Sequence, residues 1–410
     1  YMLMPLSSGC CSIKYKVHFM RFDYGIIGGG LSGCLLAYYL IMQGKRVLLV
    51  ERNTIGSGAS GTPLAMINPA TGRFAKKGFK SLESIAQIDA LQQLSPFSNA
   101  HDFIQNRGVI RPCFDEEIAQ KTHQNYLSDQ WGKGVAEWVT PEEVAARFPL
   151  INPSFGALIV YNGYVVNPKM YLQNLINWLS DHPNFSLLEE YESFTSQSHK
   201  TGNAEQLADP NYWVFRDEDI EMQADILIHC TGAEEMIKAM IPGVIVKGQT
   251  LQFKLVDSTY EDNSPMQVVT NQGNQTNNWS SFLKEYAISA QGYLCSLDGS
   301  NLVMGSTYEH RFSGPLPDSK GNLYLKNKLD RIHERLSSRI VQESMWAGFR
   351  FSTPDRMPII DELPTYKGHY VFRGLGSKGL LYSHYYAKVF SKYLCGKGFL
   401  SKEVRLSRFK

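Results

Sequence analysis

Residues 24–51 read YGIIGGGLSGCLLAYYLIMQGKRVLLVE, and this stretch decides the fold. A short apolar run enters a glycine-rich turn, a helix-like segment follows, and a second apolar run ends on an acid. That is the order of a βαβ nucleotide-binding unit. Gly28, Gly30 and Gly33 are spaced G-x-G-x-x-G. Gly28 permits the tight turn off the strand, Gly30 lets backbone approach a pyrophosphate, and Gly33 lets the helix pack close to the sheet. The helix N-terminus then offers free N–H groups and partial positive charge to phosphates. Glu51 closes the second strand, about 20 residues beyond the glycines, where a carboxylate accepts both ribose hydroxyls. An acid there repels a 2′-phosphate, which argues against an NADP-type cofactor. A glycine turn alone is compatible with no ligand; strand, helix and acid together point to a bound dinucleotide.

The surrounding chain has 410 residues, enough for two or more cores. Its 43% hydrophobic and 20% charged residues are an ordinary globular balance. A formal charge of +2 gives no global field for nucleic acid or membrane partners. No run reaches the roughly 18 apolar residues of a membrane span. The seven cysteines form no C-x-x-C pair and suggest free thiols in a reducing cytoplasm. No metal-ligand cluster stands out. Residues 1–19 carry no clean targeting signal, and the expectation is an extension, with the functional chain starting near Met20.

Beyond Glu51 and Arg52, a loop of small residues includes Gly58, Ala59, Ser60 and Gly61, where backbone can pass close to a flat ring. Lys76, Lys77 and Lys80 follow; they are better explained as solvated charges than as phosphate ligands. Apolar spacing predicts a helix over 81–103 and a strand over 109–112. A polar helix is expected over 115–131, and a capped one from Thr140. Residues 157–161 are β-like, and 169–179 read as an amphipathic helix. Residues 185–189 and 212–216 read as strands flanking a polar insert at 197–209. A buried-strand pattern over 224–230 stops abruptly at Thr231 and Gly232, as a parallel strand does beside a ligand. From 248 to 345 the texture changes to short strands and turns, that of an antiparallel sheet, followed by a helix over 323–338. The loops 271–281 and 313–321 carry no readable specificity code. The tail, 396–410, is basic and expected to be loosely held.

A second strand, glycine turn and helix ends the chain: 370–373, then Gly374-Leu375-Gly376-Ser377-Lys378-Gly379, then 380–394. Another helix N-terminus favours negative charge. Phosphates are already provided for, so this element suits a ring that becomes anionic on reduction, as a flavin does and a nicotinamide does not. An ordinary helix cap with a surface lysine is the alternative. Arg350 stands among Trp346, Phe349 and Phe351, either structurally paired or presented to a carboxylate, which guanidinium binds in bidentate fashion. Asp355 and Arg356 suggest an ion pair with each other.

With these pieces in order, the chain resembles the D-amino-acid oxidase/glycine oxidase family of FAD-dependent oxidoreductases. Gly28-x-Gly30-x-x-Gly33 with Glu51, the Gly58–Gly61 loop and the segment 163–168 carry the resemblance. So do Thr231-Gly232, Lys247-Gly248-Gln249, Gly292-Tyr293, Gly305-Ser306-Thr307, 348–358 and 374–379. It implies an α/β fold: a discontinuous Rossmann-like FAD-binding domain (20–90, 150–247, 346–396) with a smaller α+β substrate domain built on an antiparallel sheet (91–149, 248–345). It implies non-covalent FAD, contacted by the opening turn with Leu31 and Ser32, by Glu51 and Arg52, by Gly58–Gly61, and by Thr231 and Gly232. Gly374, Gly376, Ser377, Lys378, Gly379 and Leu380 would lie at the flavin pyrimidine edge. Arg350 would bind the substrate carboxylate, with Tyr293 and Tyr308 lining the pocket; core packing is the plainer role for tyrosines in a chain with 22 of them.

The expected reaction is oxidation of the C–N bond of a small amine bearing a carboxylate, such as glycine, an N-substituted glycine or a D-amino acid. Hydride passes to flavin N5, and Lys378 supports the reduced ring. Within the family, GLGSKGL and GASG are similar to the oxidase half of the bifunctional tRNA 5-methylaminomethyl-2-thiouridine biosynthesis enzymes. That offers a modified tRNA uridine as the alternative substrate, its carboxymethyl group being removed; this chain has no methyltransferase part. A flavin-binding protein without turnover is the remaining alternative. The electron acceptor and the oligomeric state have no sequence signature.

Overall fold

A computed structural model of the chain describes residues 18–93, 100–191, 213–217, 220–233, 241–256, 278–364 and 367–409. The extension at 1–17, the insert at 197–209 and residues 271–277 of the polar loop lie outside these. Two sheets organise what is described. In the first, strands run in the order Ile359–Glu362, His369–Arg373, Ile220–His229, His18–Ile27, Val47–Val50, Phe185–Leu188. The last five are mutually parallel. Ile359–Glu362 and Trp213–Asp217 are antiparallel additions. The central strand has its successor Val47–Val50 on one side and the distant Ile220–His229 on the other. That reversal of direction opens a crevice beyond the carboxyl ends of His18–Ile27 and Ile220–His229, where a ligand fits.

Helices Leu31–Ile41, Pro168–Ser180 and Gly379–Leu394 share one apolar core with this sheet. Leu35, Leu40, Leu49, Leu172, Ile228 and Phe390 are fully buried in it. The opening helix is apolar around most of its circumference, as a helix packed between a sheet and other helices must be. Tyr38 lies within it, and nine of its eleven residues are buried.

The second sheet runs Ile340–Ser352, Val244–Leu255, Leu302–Gly305, Tyr293–Ser296, Tyr286–Ser289, Ile104–Pro112, Ala157–Val166, Ala65–Ile67, with Ala136–Val139 beside Ala157–Val166. Its pairings are antiparallel except that of Tyr286–Ser289 with Ile104–Pro112. Helix Ser319–Ile332 covers it with Leu325, Leu329 and Ile332, packed with Leu251, Leu294 and Phe282.

The expected helices appear at Glu116–Ser128 and Pro141–Arg147, the latter opened by a reciprocal Thr140–Glu143 capping box. Other expectations need correction. The helix expected over 81–103 ends at Gln92, with a separate short turn at Ala100–Asp102. Pro96 lies in between, and its missing N–H stops a helix. The strand expected at 109–112 begins at Ile104, because a bulge between Arg107 and Val109 carries pairing past the interruption. The helix expected over 323–338 is Ser319–Ile332, capped by Asp318. The basic tail is docked, not loose: Leu400 and Val404 are buried, and Arg405 and Arg408 bind Asp361 and Asp355. Among the described residues, no helix is long and apolar enough to cross a membrane, and no His, Cys, Asp and Glu cluster could hold a metal ion.

Candidate active site

The first glycine turn sits at the crevice. Gly28 has φ +110°, and a Cβ there would lie 2.5 Å from the carbonyl of Cys230. A Cβ on Gly33 would collide with the carbonyl of Gly28, so only a hydrogen fits between helix and turn. Gly30 caps the opening helix with no side chain, and the first helical turn holds no acid. The N–H groups of that turn face the crevice, and the Leu31 N–H donates to Ser60 Oγ at 3.1 Å. Ser60 belongs to the short turn Ala59–Gly61, which the small-residue loop places against the helix end. Glu51 accepts from Gly29 N–H at 2.6 Å and from Asn53 N–H at 2.9 Å. Its carboxylate thereby closes against the turn, while Arg52 is exposed. Across the crevice, Cys230 N–H extends the ladder to Ile27 at 2.7 Å, and Gly232 takes φ +58° with open space beside it. The Gly232 carbonyl is held by Arg373 at 2.6 Å.

The second glycine turn arrives at the same place. Gly374 (φ +80°) and Gly376 (φ +54°) bend the chain from strand His369–Arg373 into helix Gly379–Leu394. That helix also begins with no side-chain cap and no acid in its first turn. A Cβ on Gly379 would lie 3.7 Å from the Leu31 side chain, so the two helix N-termini stand side by side. The chemistry of this cradle fits an extended anionic cofactor: bare backbone, two positive helix ends, and an acid, Glu51, beside them. FAD fits it. Lys378 Nζ donates to the Arg356 carbonyl at 3.4 Å and lies 5.3 Å from the Tyr382 ring centroid. Burial and the nearby Arg356 lower its pKa, against the pull of Asp355. Ser377 is exposed and Leu380 half-buried beside it.

Arg350 lies on strand Ile340–Ser352, in register with Val246 of Val244–Leu255. Its guanidinium crosses Gly248, where a Cβ would collide with Nη2. Nη2 donates to the Thr307 carbonyl at 2.9 Å and Nη1 to Ser306 Oγ at 3.3 Å. Tyr308 stands with its ring centroid 5.6 Å from the guanidinium carbon. Burial lowers the arginine pKa, with Tyr293 and Tyr308 opposing. Among the described residues Arg350 forms no ion pair. A guanidinium has five donors, and two are used here.

The structure therefore brings Arg350, Tyr293 and Tyr308 together. Tyr293 packs over Gly305, and its hydroxyl is committed to the Leu64 carbonyl at 2.8 Å. Tyr308 is 45% exposed. Arg350 and Lys378 are linked through backbone: Ser352, two residues from Arg350, bridges to Leu375 in the second glycine turn. Asp355 pairs with Arg408 at 2.6 Å, not with Arg356. Lys77 is engaged with the Gln130 carbonyl and Lys80 with Glu83.

Sequence reasoning missed the support beneath Arg350. Gln249 N–H donates to Thr307 Oγ1 at 2.9 Å, and Thr307 N–H returns a bond to the Gln249 carbonyl. The Gln249 amide also holds Glu309 and Asp318, and buried Lys247 holds Asp318 and the Leu316 carbonyl. These partners are far apart in sequence and form no local pattern. Lys247 and Gln249 lie in a strand that also carries Thr250, Gln252 and Lys254, so neither stood out as a buried polar residue.

The family described as FAD dependent oxidoreductase (DAO) matches residues 23–393. The chain is 23% identical to a glycine oxidase of Geobacillus kaustophilus over 377 residues, covering 88% of this chain and 90% of that protein. It is 21% identical to the tRNA 5-methylaminomethyl-2-thiouridine biosynthesis bifunctional protein of Acinetobacter baylyi over 384 residues. That match covers 91% of this chain but 53% of the relative, so the chain spans about half the length of such bifunctional proteins. Among solved structures, glycine oxidase from Geobacillus kaustophilus superposes with a TM-score of 0.71 at 19% identity, covering 93% and 96% of the two chains. L-proline dehydrogenase from P. horikoshii gives 0.69 at 16%, covering 93% and 95%. The fold, the doubled glycine turns and the family match agree: this chain is an FAD-dependent enzyme and belongs to the DAO family of FAD dependent oxidoreductases.

Proposed function

We propose that the enzyme oxidises the C–N bond of an amine whose substrate carbon carries a carboxylate, as in glycine, an N-substituted glycine or a D-amino acid. The observation that carries this is Arg350, a half-buried guanidinium with no ion-pair partner among the described residues. A partly desolvated cation without a carboxylate carries some cost, and a substrate carboxylate relieves it with bidentate hydrogen bonds. The Ser306 and Thr307 contacts fix the plane of the fork, and Tyr308 flanks it. The substrate is then held by one end, and orientation supplies much of the rate. When bound, FAD supplies the two-electron acceptor that takes hydride from the substrate carbon. Lys378 and the N-terminus of Gly379–Leu394 place positive potential at the ring edge they face. No dedicated acid or base is needed if the amine enters neutral.

In this reading, FAD is held non-covalently by 20–90, 150–247 and 346–396, and 91–149 with 248–345 shape the substrate side. Strand Ile340–Ser352 spans both parts, which is how Arg350 and the second glycine turn come to share one strand end. Arg350→Ala tests the proposal by anaerobic reduction of bound flavin with carboxylated amines. The expected result is a loss of at least about 100-fold in kcat/KM. An unchanged rate removes Arg350 from the mechanism.

A modified uridine bearing a carboxymethylaminomethyl group presents the same amine and carboxylate, and it is the second reading. The breadth of the match to tRNA-modifying relatives favours it, as do the exposed aromatics Tyr308 and Phe312 beyond Arg350. Nucleoside profiling of a deletion strain tests it: accumulation of the carboxymethylaminomethyl form is expected, and its absence ends the reading.

A further inference from the structure

We propose that Arg408, in the C-terminal tail, is a positioning residue that sets Lys378 at the flavin by clamping the turn around Asp355. The proposal rests on the reading above that the second glycine turn faces the flavin.

The clamp closes on both ends of one segment, at Asp355 and at Asp361. Arg408 Nε and Nη2 bind the two carboxylate oxygens of Asp355 at 2.6 and 3.3 Å, and Nη2 also donates to the Met357 carbonyl at 3.0 Å. The arginine side chain is 11% exposed and that of Asp355 39%, so the guanidinium is largely withdrawn from water while its partner carboxylate stays at the surface. Six residues beyond Asp355, Asp361 accepts from Arg405 and from the Leu406 N–H, each at 2.8 Å. The tail thus grips both Asp355 and Asp361. Between them Arg356 takes φ +59°, a left-handed conformation that costs a non-glycine residue about 1 kcal/mol or more. Such a conformation persists only when neighbours over-determine it. Thr353 Oγ1 bonds the Met357 carbonyl at 2.7 Å, Met357 N–H bonds Asp355 at 3.1 Å, and Arg356 N–H closes on Thr353 at 3.1 Å. Arg408 ties this turn to the tail.

What the turn presents is the Arg356 carbonyl, and that carbonyl receives Lys378 Nζ. Thr353 also lies under the second glycine turn, where a Cβ on Gly374 would meet its methyl group at 2.9 Å. Arg408 has a second effect. It neutralises Asp355, the acid that otherwise draws on the lysine. Without Arg408, the carbonyl loses its fixed direction and Asp355 competes for the ammonium.

The test uses the full chain with FAD, in a cycle of Arg408→Gln, Lys378→Met and the double variant, with Arg408→Lys and Asp355→Asn beside them. The readouts are FAD dissociation constant, flavin midpoint potential and thermal midpoint. Lys378→Met should weaken FAD binding and lower the potential. Arg408→Gln should do both in the same direction, with FAD bound roughly tenfold more weakly. The double variant should be no worse than Lys378→Met alone, because both act through one ammonium. Arg408→Lys should restore part of the potential. Additive effects of the two substitutions, or a lowered thermal midpoint with an unmoved potential in Arg408→Gln and in Asp355→Asn, overturn the proposal. If Lys378→Met itself leaves potential and affinity unchanged, the flavin-facing assignment of the turn fails, and the clamp falls with it.

Discussion

Gly248→Ala probes the arginine site through a single methyl group. A Cβ at this position would collide with Nη2 of Arg350 and lie 2.8 Å from Cζ and 3.2 Å from Nε. Ordinary contact begins near 3.4 Å, so the guanidinium must lift by about 1 Å, and the obstruction is the far end of a flexible side chain rather than backbone. The strand can therefore stay where it is. Alanine recovers about 0.5–1 kcal/mol relative to glycine in a strand interior. Weakening the two arginine bonds costs about 1 kcal/mol each. The net change is a destabilisation of about 1–1.5 kcal/mol, a shift of a few degrees in thermal midpoint. Activity responds differently, because a misplacement of about 1 Å in a positioning group costs roughly 100-fold. That is about 2.7 kcal/mol of transition-state stabilisation. The assay compares kcat/KM for the best carboxylated amine with that for its neutral amide. Their ratio should fall by about 100-fold in Gly248→Ala, with the thermal midpoint lowered by only a few degrees. A wild-type ratio would refute the role given to the guanidinium. An equal loss on both substrates would place the damage in the sheet instead.

Two further outcomes follow from the same reasoning. In Gly33→Ala the new Cβ meets the backbone carbonyl of Gly28, which cannot swing aside, so the opening helix must part from the turn. Purified protein should carry little flavin absorbance and unfold at lower urea; a fully yellow, stable variant would contradict the close packing. The second concerns acid. Burial, with His369 and Arg373 nearby, holds the His229 imidazole down to about 4 from 6.5. As pH falls through 6.5 the unfolded chain takes up a proton that the folded chain refuses, so stability is lost between about 6.5 and 4 and no further below. This one group accounts for about 2 kcal/mol between pH 7 and 5. Urea unfolding of wild type and His229→Asn at the two pH values should show the smaller pH effect in the variant, and identical slopes would refute the assignment.

The parts of the site legible in the sequence are those made by contiguous residues. Gly28, Gly30, Gly33 and Glu51 are a local pattern because one strand, turn and helix bring them together at the crevice. Gly374 to Gly379 could be read for the same reason, including its lysine. Arg350 stood out because a cation among Trp346, Phe349 and Phe351 demands an explanation. What the sequence could not show is pairing across long separations. Thr307 and Gln249 meet because two strands lie side by side, and nothing in either segment announces the other. The tail was misread on the same ground: Arg405 and Arg408 look like solvated charge until Asp355 and Asp361 are brought opposite them. Helix limits failed where a local stop overrode periodicity, as beyond Gln92, or where a polar cap preceded the apolar stripe, as at Asp318.

The two sheets divide the work for a physical reason. A parallel sheet with helix ends at its crevice supplies positive potential from backbone alone, which suits a cofactor gripped by phosphates and leaves few side chains to tune. Binding a small carboxylate needs a guanidinium held in one plane, and that requires neighbours on several strands. The antiparallel sheet supplies them: Gly248 clears the space, and Ser306 and Thr307 hold the fork. Strand Ile340–Ser352 then carries the arginine to the edge where Ser352 bridges to Leu375. On the proposed reading, substrate orientation and ring-edge potential would be fixed against one another within two residues of strand. A change that slides this strand by one residue would turn Arg350 to the opposite face and remove the carboxylate site while leaving both glycine turns intact.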